Sequence, residues 1–339
     1  MPLPATKQFH HKRRGLFFAS ETTAGTYMTD ASVFLASAGV VPSESIVFSP
    51  EVTWAERNTD SLSLSPTASI PGQSHAKIAF TSRLIAGAKG VAGPLSPLLL
   101  AAGMKEVLVA STSATYYLDP SSTTRLSIGV GIASEDGSAD LQYAISGAVC
   151  TKLTIKADGP GKPIMIDWEF TGKIASVTGA FRTTTDGTFP TITYIDDVAK
   201  GFRFISLTAT TGKFSRAISK LELDLGLSGE LGVDITDISG HDFGHFSAQK
   251  PVLSIDPLKV AGSVSQDINL LLAGGTASAG FTVSNGTDTF TVAIPRLQDQ
   301  SAGDAARGPM STWDIKALCV RSQTATTPDA ASPVSLAFA

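Results

Sequence analysis

The chain has 339 residues, of which 42% are hydrophobic and 17% charged, so it can bury a sizeable core and is not disordered throughout. Its net charge of −4 disfavours a protein that wraps nucleic acid, because such binding depends on Lys and Arg neutralising phosphates. The sequence has neither an apolar run long enough to span a membrane nor the apolar stretch of a signal peptide. We therefore expect a soluble protein of two domains, made in the cytoplasm.

Short runs that alternate apolar and polar residues predict that the chain is mainly β. Such runs occur at 153–157, 164–170, 221–225 and 290–294. A period of two buries one face of an antiparallel strand and leaves the other face wet. Asn285-Gly286, which lies between two such runs, predicts a hairpin turn with positive φ at both residues.

Two short segments carry helix signals. Ser96–Gly103 and Ser265–Gly274 each begin with a Ser that could cap a helix, continue with about two turns of apolar residues and end at Gly. The sequence thus predicts one short helix in each half of an otherwise β chain.

Landmarks of the first half recur in the second half at spacings of 169 to 174 residues. The matched pairs are Ile46 with Ile218, Leu84 with Leu258, Leu98–Leu100 with Leu270–Leu272, and Cys150 with Cys319. After each cysteine comes a Pro-led apolar strand, Pro163–Phe170 and Pro333–Phe338. This order predicts an internal duplication. We expect an N-terminal arm at 1–42, a first domain at 43–195 and its duplicate at 196–339, each a β-sandwich or barrel with one short flanking α-helix.

Residue patterns for catalysis or metal binding are weak. The two cysteines lie on apolar strands, where a free Cys acts as a small buried hydrophobe. His241 and His245 have the spacing of helical metal ligands, but neighbouring glycines place them in an exposed loop. We therefore expect no enzyme and no catalytic, cofactor-binding or metal-binding residue.

The order of features resembles the major tail tube proteins of long-tailed, siphovirus-like bacteriophages. The segments that carry the resemblance are Glu21–Tyr27, Ile46–Phe48, Glu56–Ser61, a strand with Arg83, the helix at Ser96–Gly103, Tyr116–Pro120, Leu126–Val130, Gly147–Lys156 and Pro163–Gly172. They cover nearly the whole chain as a pattern of elements and include no invariant motif.

This resemblance implies a structural virion protein of the tail, whose rings stack into the hollow conduit for DNA ejection. Its partners would be further copies of itself, the tape measure protein, the tail terminator and tail-tip proteins. DNA would pass through the lumen without specific binding. Many tail tube proteins carry one tube domain and form hexamers, so a duplicated chain implies a trimeric, pseudo-hexameric ring, with a hexamer as the alternative.

The expected contacts between subunits lie on two helices, one strand end and two long loops. The interface residues would be Arg83, Pro97, Leu98, Leu100, Ile268, Leu270 and Leu272. The polar segments Ser49–Ala76 and Gly226–Pro251 are expected to be loops that reach axially to the adjacent ring. The alternatives are another ring-forming tail or secretion-tube component, or a β-sandwich adhesin or binding module. An aromatic content of 7% disfavours carbohydrate binding.

Overall fold

The structure of the protein is a computed structural model that describes residues 9–28, 43–56, 68–85, 87–119, 121–134, 140–159, 161–175, 208–211, 218–259, 271–322 and 331–339. Strands dominate these residues, which confirms the prediction of a mainly β protein. The α-helix α1 is Ser96–Ala101. The strands are β1 Phe9–Ser20, β2 Ser43–Ala55, β3 Ile70–Arg83, β4 Met104–Val109, β5 Ser113–Leu118, β6 Leu126–Ser134, β7 Asp140–Ala157, β8 Met165–Ala175, β9 Thr208–Thr211, β10 Leu221–Asp224, β11 Leu227–Val233, β12 His241–Gln249, β13 Val252–Ile255, β14 Thr276–Ser284, β15 Thr289–Arg307, β16 Met310–Val320 and β17 Ser335–Phe338.

Fifteen of these strands belong to one large antiparallel sheet. Its longest path runs β2-β3-β8-β7-β10-β13-β16-β15-β17-β5-β4. Strand β6 pairs with β7 and carries β1, while β14 pairs with β15 and carries β9. Strands β11 and β12 form a separate hairpin. The strands predicted from alternation at 153–157, 164–170, 221–225 and 290–294 lie in β7, β8, β10 and β15, as expected.

The same pairing order occurs twice along the chain. The first run is β1-β6-β7-β8-β3-β2. The second run is β9-β14-β15-β16-β13-β10, and β11 and β12 continue β10 and β13 as a hairpin. The two runs are hydrogen-bonded to each other through β7 and β10, so they share one sheet. The boundaries at 43–195 and 196–339 stay predictions.

Three β-bulges fall at corresponding places in the two runs. A bulge inserts one extra residue on one strand and thereby fixes the local register. The corresponding steps are Ile145/Ala148 with Ile294/Leu297, Cys150/Lys152 with Asp299/Ser301, and Pro71/Ser74 with Phe246/Gln249. They relate the two runs residue by residue, with an offset of 175 from Pro71 to Phe246 and of 149 from Cys150 to Asp299.

This register corrects part of the predicted duplication. Cys150 lies on β7 and Cys319 on β16, and β16 takes the place of β8 in the second run. The two cysteines are therefore not at matching positions, although both are buried as predicted. Likewise, β17 pairs with β15 and β5, so 333–338 is not the counterpart of 163–170.

Local signals for the helix and the turn were partly wrong. Helix α1 begins after Leu95 without a side-chain cap, and Ser96 Oγ instead donates to Glu106 Oε1 at 2.7 Å. Gly103 follows the helix with φ of 75°, as a terminating Gly should. The turn at 285–288 joins β14 to β15 as predicted, but among its residues positive φ is confined to Gly286. The Asn285 side chain stabilises the turn by accepting from the Asp288 amide at 2.8 Å.

The core lies under the central strands and is rich in aromatic rings. Phe80, Trp168 and Phe170 stack with centroids 6.1 Å apart. The Trp168 indole N–H donates to Ser82 Oγ at 2.9 Å, so this buried polar group is satisfied. Burial of such rings supplies a large share of the hydrophobic free energy of folding.

Candidate assembly interface

The junction between the two runs is a short strand pairing. Leu221 lies opposite Ala157, and Asp224 lies opposite Thr154. On its other side β10 pairs with β13, so β10 has neighbours on both edges. The second run thus covers an edge of the first by continuing its sheet, which is how proteins remove the exposed hydrogen-bonding groups of an edge strand.

The hairpin of β11 and β12, which we call arm 2, packs on the first run beside this junction. Gly229 and Gly244 bring its backbone against the side chain of Val149 on β7. A Cβ at Gly244 would lie closer than 3.0 Å to two Val149 atoms, so no larger residue fits there without movement. Glycine at both places is explained by this close approach. The prediction that 226–251 forms an axial loop is wrong, since this segment is a hairpin seated on its own chain.

A buried arginine lies under arm 2. The Arg125 guanidinium donates to the Gly244 carbonyl and stands 5.3 Å from the ring centre of Phe246. Arg125 also donates to the Thr124 carbonyl at 2.7 Å. Burial lowers the pKa of Arg125, and the nearby charge of Glu21 works against that shift. The guanidinium therefore ties the arm to the start of β6.

An ion pair fixes the tip of arm 2. Lys173 Nζ on β8 lies 3.0 Å from Asp237 Oδ2. The Ser239 hydroxyl and amide both donate to the Asp237 carboxylate, and together with Lys173 they lower its pKa to about 2. Hydrogen bonds and a neighbouring cation favour the ionised form of a carboxyl, which accounts for the direction.

Glu21 anchors the segment that follows β1. Its carboxylate accepts from the Gly147 and Gly25 amides at 2.7 Å and from Ser127 Oγ at 2.9 Å. Burial raises the pKa of Glu21 despite these donors. The carboxylate thereby holds the chain after β1 against the bulge of β7, next to the arm 2 contact.

The C-terminal strand forms a second junction. Strand β17 lies between β15 of the second run and β5, so it bridges the two parts of the sheet. Its Phe338 packs against Phe290, with centroids 5.0 Å apart, and against Tyr116 at 5.9 Å. The Leu118 amide donates to Ser332 Oγ at 3.1 Å.

The predicted interface residues are scattered by the structure. On α1, Leu98 is fully buried, whereas Pro97 and Leu100 are half-buried, so Leu98 is a core residue and not a surface contact. Leu272 is 78% exposed, while Ile268 and Leu270 lie outside the described residues. Arg83 is half-buried at the end of β3, 3.7 Å from Glu44.

The sheet face opposite the core carries balanced charge on its central strands. Apart from Lys173, which pairs with Asp237, five basic and five acidic residues alternate with core positions there. They are Lys77, Arg83, Lys152, Lys156, Lys316, Asp167, Glu169, Glu222, Asp224 and Asp314. Lys156 lies 2.8 Å from Asp167, and this contact raises the pKa of Lys156.

The described residues contain no group of three or more His, Cys, Asp or Glu placed to hold a metal ion. His241 lies on β12 and is nearly buried, so its predicted place in an exposed loop is wrong. Burial raises the pKa of both cysteine thiols, that of Cys319 to about 12, and keeps them in the unreactive form. No helix in the described part of the chain is both long and apolar enough to cross a membrane.

Sequence comparison adds no relative: no protein-family model and no curated protein matches this chain. The residues that join the two runs therefore have to be read from their contacts. Gly244, Arg125 and Glu21 were missed by the sequence reasoning. The signal available for the first was the density of glycines in 226–251, which marks close backbone approach.

Proposed function

We propose that the chain is a ring-forming structural subunit, the major tail tube protein of a long-tailed bacteriophage. The observation that carries the proposal is the repeated strand order with its three corresponding bulges. Two equivalent units in one chain, already joined edge to edge, are what a tube with more units per ring than chains requires.

The open ends of the sheet favour closure into a ring. Along the path from β2 to β15, the second run follows the first through β7 and β10. The same step, repeated from the second run to the first run of another copy, is a head-to-tail contact. Such a contact closes a ring when the rotation allows it, and matching ring faces then stack into a tube. Three chains would give six units.

Charge on the sheet face supports a conduit that does not hold DNA. We propose that the face with five basic and five acidic residues lines the lumen. Retention of DNA depends on clustered Lys and Arg that release counterions from phosphates. Here Lys156 is paired with Asp167, so its charge is neutralised locally.

Negative-stain electron microscopy of the purified chain tests the proposal. We expect rings or hollow tubes of uniform diameter, and light scattering of the ring fraction should give a mass of about three chains. Monodisperse single chains over a wide range of protein and salt concentrations would overturn the proposal. Rings of six chains would retain the tube and exclude the pseudo-hexamer.

A further inference from the structure

We propose that the first run contains a matching docking arm and that it seats laterally on β15 and β16 of a second copy of the chain. This arm, called arm 1, consists of Val52–Ala55 and Ile70–Ser74, the outer ends of β2 and β3. The inference rests on the proposed function, because it names the surface through which the ring would close. It replaces the expectation that 49–76 reaches to the adjacent ring.

Arm 1 is the counterpart of arm 2 in register. Val52 lies opposite Ser74 and Trp54 opposite Pro71, with one extra residue on the Pro71 side. In arm 2 Leu227 lies opposite Gln249 and Gly229 opposite Phe246, again with one extra residue on the Phe246 side. Each residue of arm 1 therefore corresponds to the residue 175 positions later.

The two arms differ in what covers them. Leu227 of arm 2 is 7% exposed, whereas its counterpart Val52 is 38% exposed. Trp54 and Ile70 of arm 1 are 63% and 53% exposed, and all three side chains belong to one hairpin. Adjacent exposed apolar groups mark an interaction surface when they are contiguous. Arm 2 shows the occupant, because its own partner is a run of this same fold.

The receiving edge is present on β15. In the first run, residues 154–157 of β7 pair with β8 on one side and with β10 on the other. Their counterparts Gly303–Ala306 pair with β16, and no strand in the described part of the chain pairs with their other side. Three of these four residues are exposed and Ala305 is partly so, whereas 153–155 and 157 are buried.

Transfer of the inner junction gives the register of the outer one. Leu221 opposite Ala157 becomes Ile46 opposite Ala306 of the second copy, and Asp224 opposite Thr154 becomes Ser49 opposite Gly303. Val47, which is 50% exposed, then faces Ala305. Strand β2 pairs with β3 alone among the described strands, so its outer side has no strand to displace.

The seat for arm 1 also offers a guanidinium. Arg125, under arm 2, corresponds to Thr276 in the second run by the offset of 151 that relates Leu126 to Ala277. Arg296 Nε donates to Thr276 Oγ1 at 3.3 Å, so a guanidinium occupies the corresponding place from a different residue. Trp54 of arm 1 supplies an aromatic ring for it, as Phe246 does for Arg125.

Cysteine crosslinking in the full chain tests this register. The variant V47C/A305C places one thiol on each partner edge, and residues directly opposite across strands have Cβ atoms about 5 Å apart. Oxidation with copper phenanthroline should give a ladder of disulfide-linked multimers on a non-reducing gel. The matched control V47C/L108C moves the second thiol to β4, where Leu108 is 46% exposed, and should stay largely monomeric. The buried native thiols contribute little background.

Each outcome decides one point. A ladder specific to V47C/A305C, together with weakened ring formation by W54S but not by V91S at another exposed site, supports the docking surface. Rings by microscopy without crosslinking of V47C/A305C, or with stronger crosslinking of V47C/L108C, overturn this surface and leave the ring intact. If the parent chain does not associate at all, the proposed function fails as well.

Discussion

Replacing Gly244 by Ala tests whether arm 2 is seated as closely as its glycine indicates. The added Cβ would lie within 3.0 Å of Val149 Cγ1 and Cβ and 3.2 Å from the Gly147 carbonyl oxygen. Val149 is fully buried and β-branched, so its side chain cannot rotate away and the arm has to lift. Overpacking of this kind costs about 1–3 kcal/mol, and we expect G244A to lose that much free energy of unfolding.

Gly303 supplies the matched control. A Cβ there meets Asp314 atoms at 3.8 and 3.9 Å, which is ordinary contact. G303A should therefore lie within about 1 kcal/mol of the parent, on the stabilising side, because Ala reduces the entropy of the unfolded chain. Urea denaturation of dilute protein, followed by tryptophan fluorescence, compares the two variants.

A double variant makes the reasoning refutable at the contact itself. V149A alone removes two buried methyl groups and should cost about 2 kcal/mol. With the space restored, G244A/V149A should lose at least about 1 kcal/mol less than the sum of the single variants. If G244A is as stable as G303A, or if the two losses simply add, arm 2 does not rest on Val149.

Three other contacts give further predictions. E21A leaves the Gly147 amide and Ser127 hydroxyl without their acceptor and should cost about 2–4 kcal/mol in urea denaturation. Because burial raises the pKa of Glu21 above 4.5, its contribution to stability should fall as pH rises through the raised pKa, and E21Q should flatten that part of the pH profile. Asp237 has the opposite sign: with a pKa lowered from 3.8 to about 2, its contribution is present above pH 3.8 and lost as pH falls towards 2. D237N should remove this acid dependence at a cost below about 1 kcal/mol, because the pair is partly exposed. Cys150 and Cys319 should react with a thiol reagent after unfolding in urea but not before.

The sequence patterns predicted strands better than they predicted strand neighbours. Alternation in 153–157 and 221–225 identifies two strands with one buried face, and both exist. It contains nothing about the pairing of these two strands with each other, which depends on contacts distant in sequence. The buried state of Cys150 and Cys319 was predictable for the same reason, while their equivalence was not.

Arm 2 was mistaken for a loop because its strands lack a clean alternation. Its hairpin lies on the surface of the first run, so much of β11 is partly exposed and its residues are mixed in polarity. His241 was misplaced with it, since the glycines beside it suggested a turn. Those glycines instead permit backbone to approach Val149, a contact that a single segment of sequence does not contain.

The drift in offset explains why landmark matching failed after the helix. Counterparts are 175 residues apart at Val52 and Leu227 but 151 apart at Leu126 and Ala277. The first run is therefore 24 residues longer between its third strand and β6, a stretch that holds the hairpin of β4 and β5. A constant spacing near 170 had to pair wrong strands beyond that point.

The same hairpin makes the two units unequal in a way that bears on assembly. Strand β5 of the first run receives β17, the C-terminal strand of the second run, so the chain is joined to itself at two places. Arm 2 is covered within the chain, while arm 1 and Gly303–Ala306 are left exposed at opposite ends of the repeated path. A duplicated chain that were complete by itself would need no Trp54 on a protruding hairpin, since glycine suffices at the corresponding position of arm 2. Two unequal but complementary ends on one chain lead to a head-to-tail contact between copies, and a contact of that kind either closes into a ring or continues as a filament.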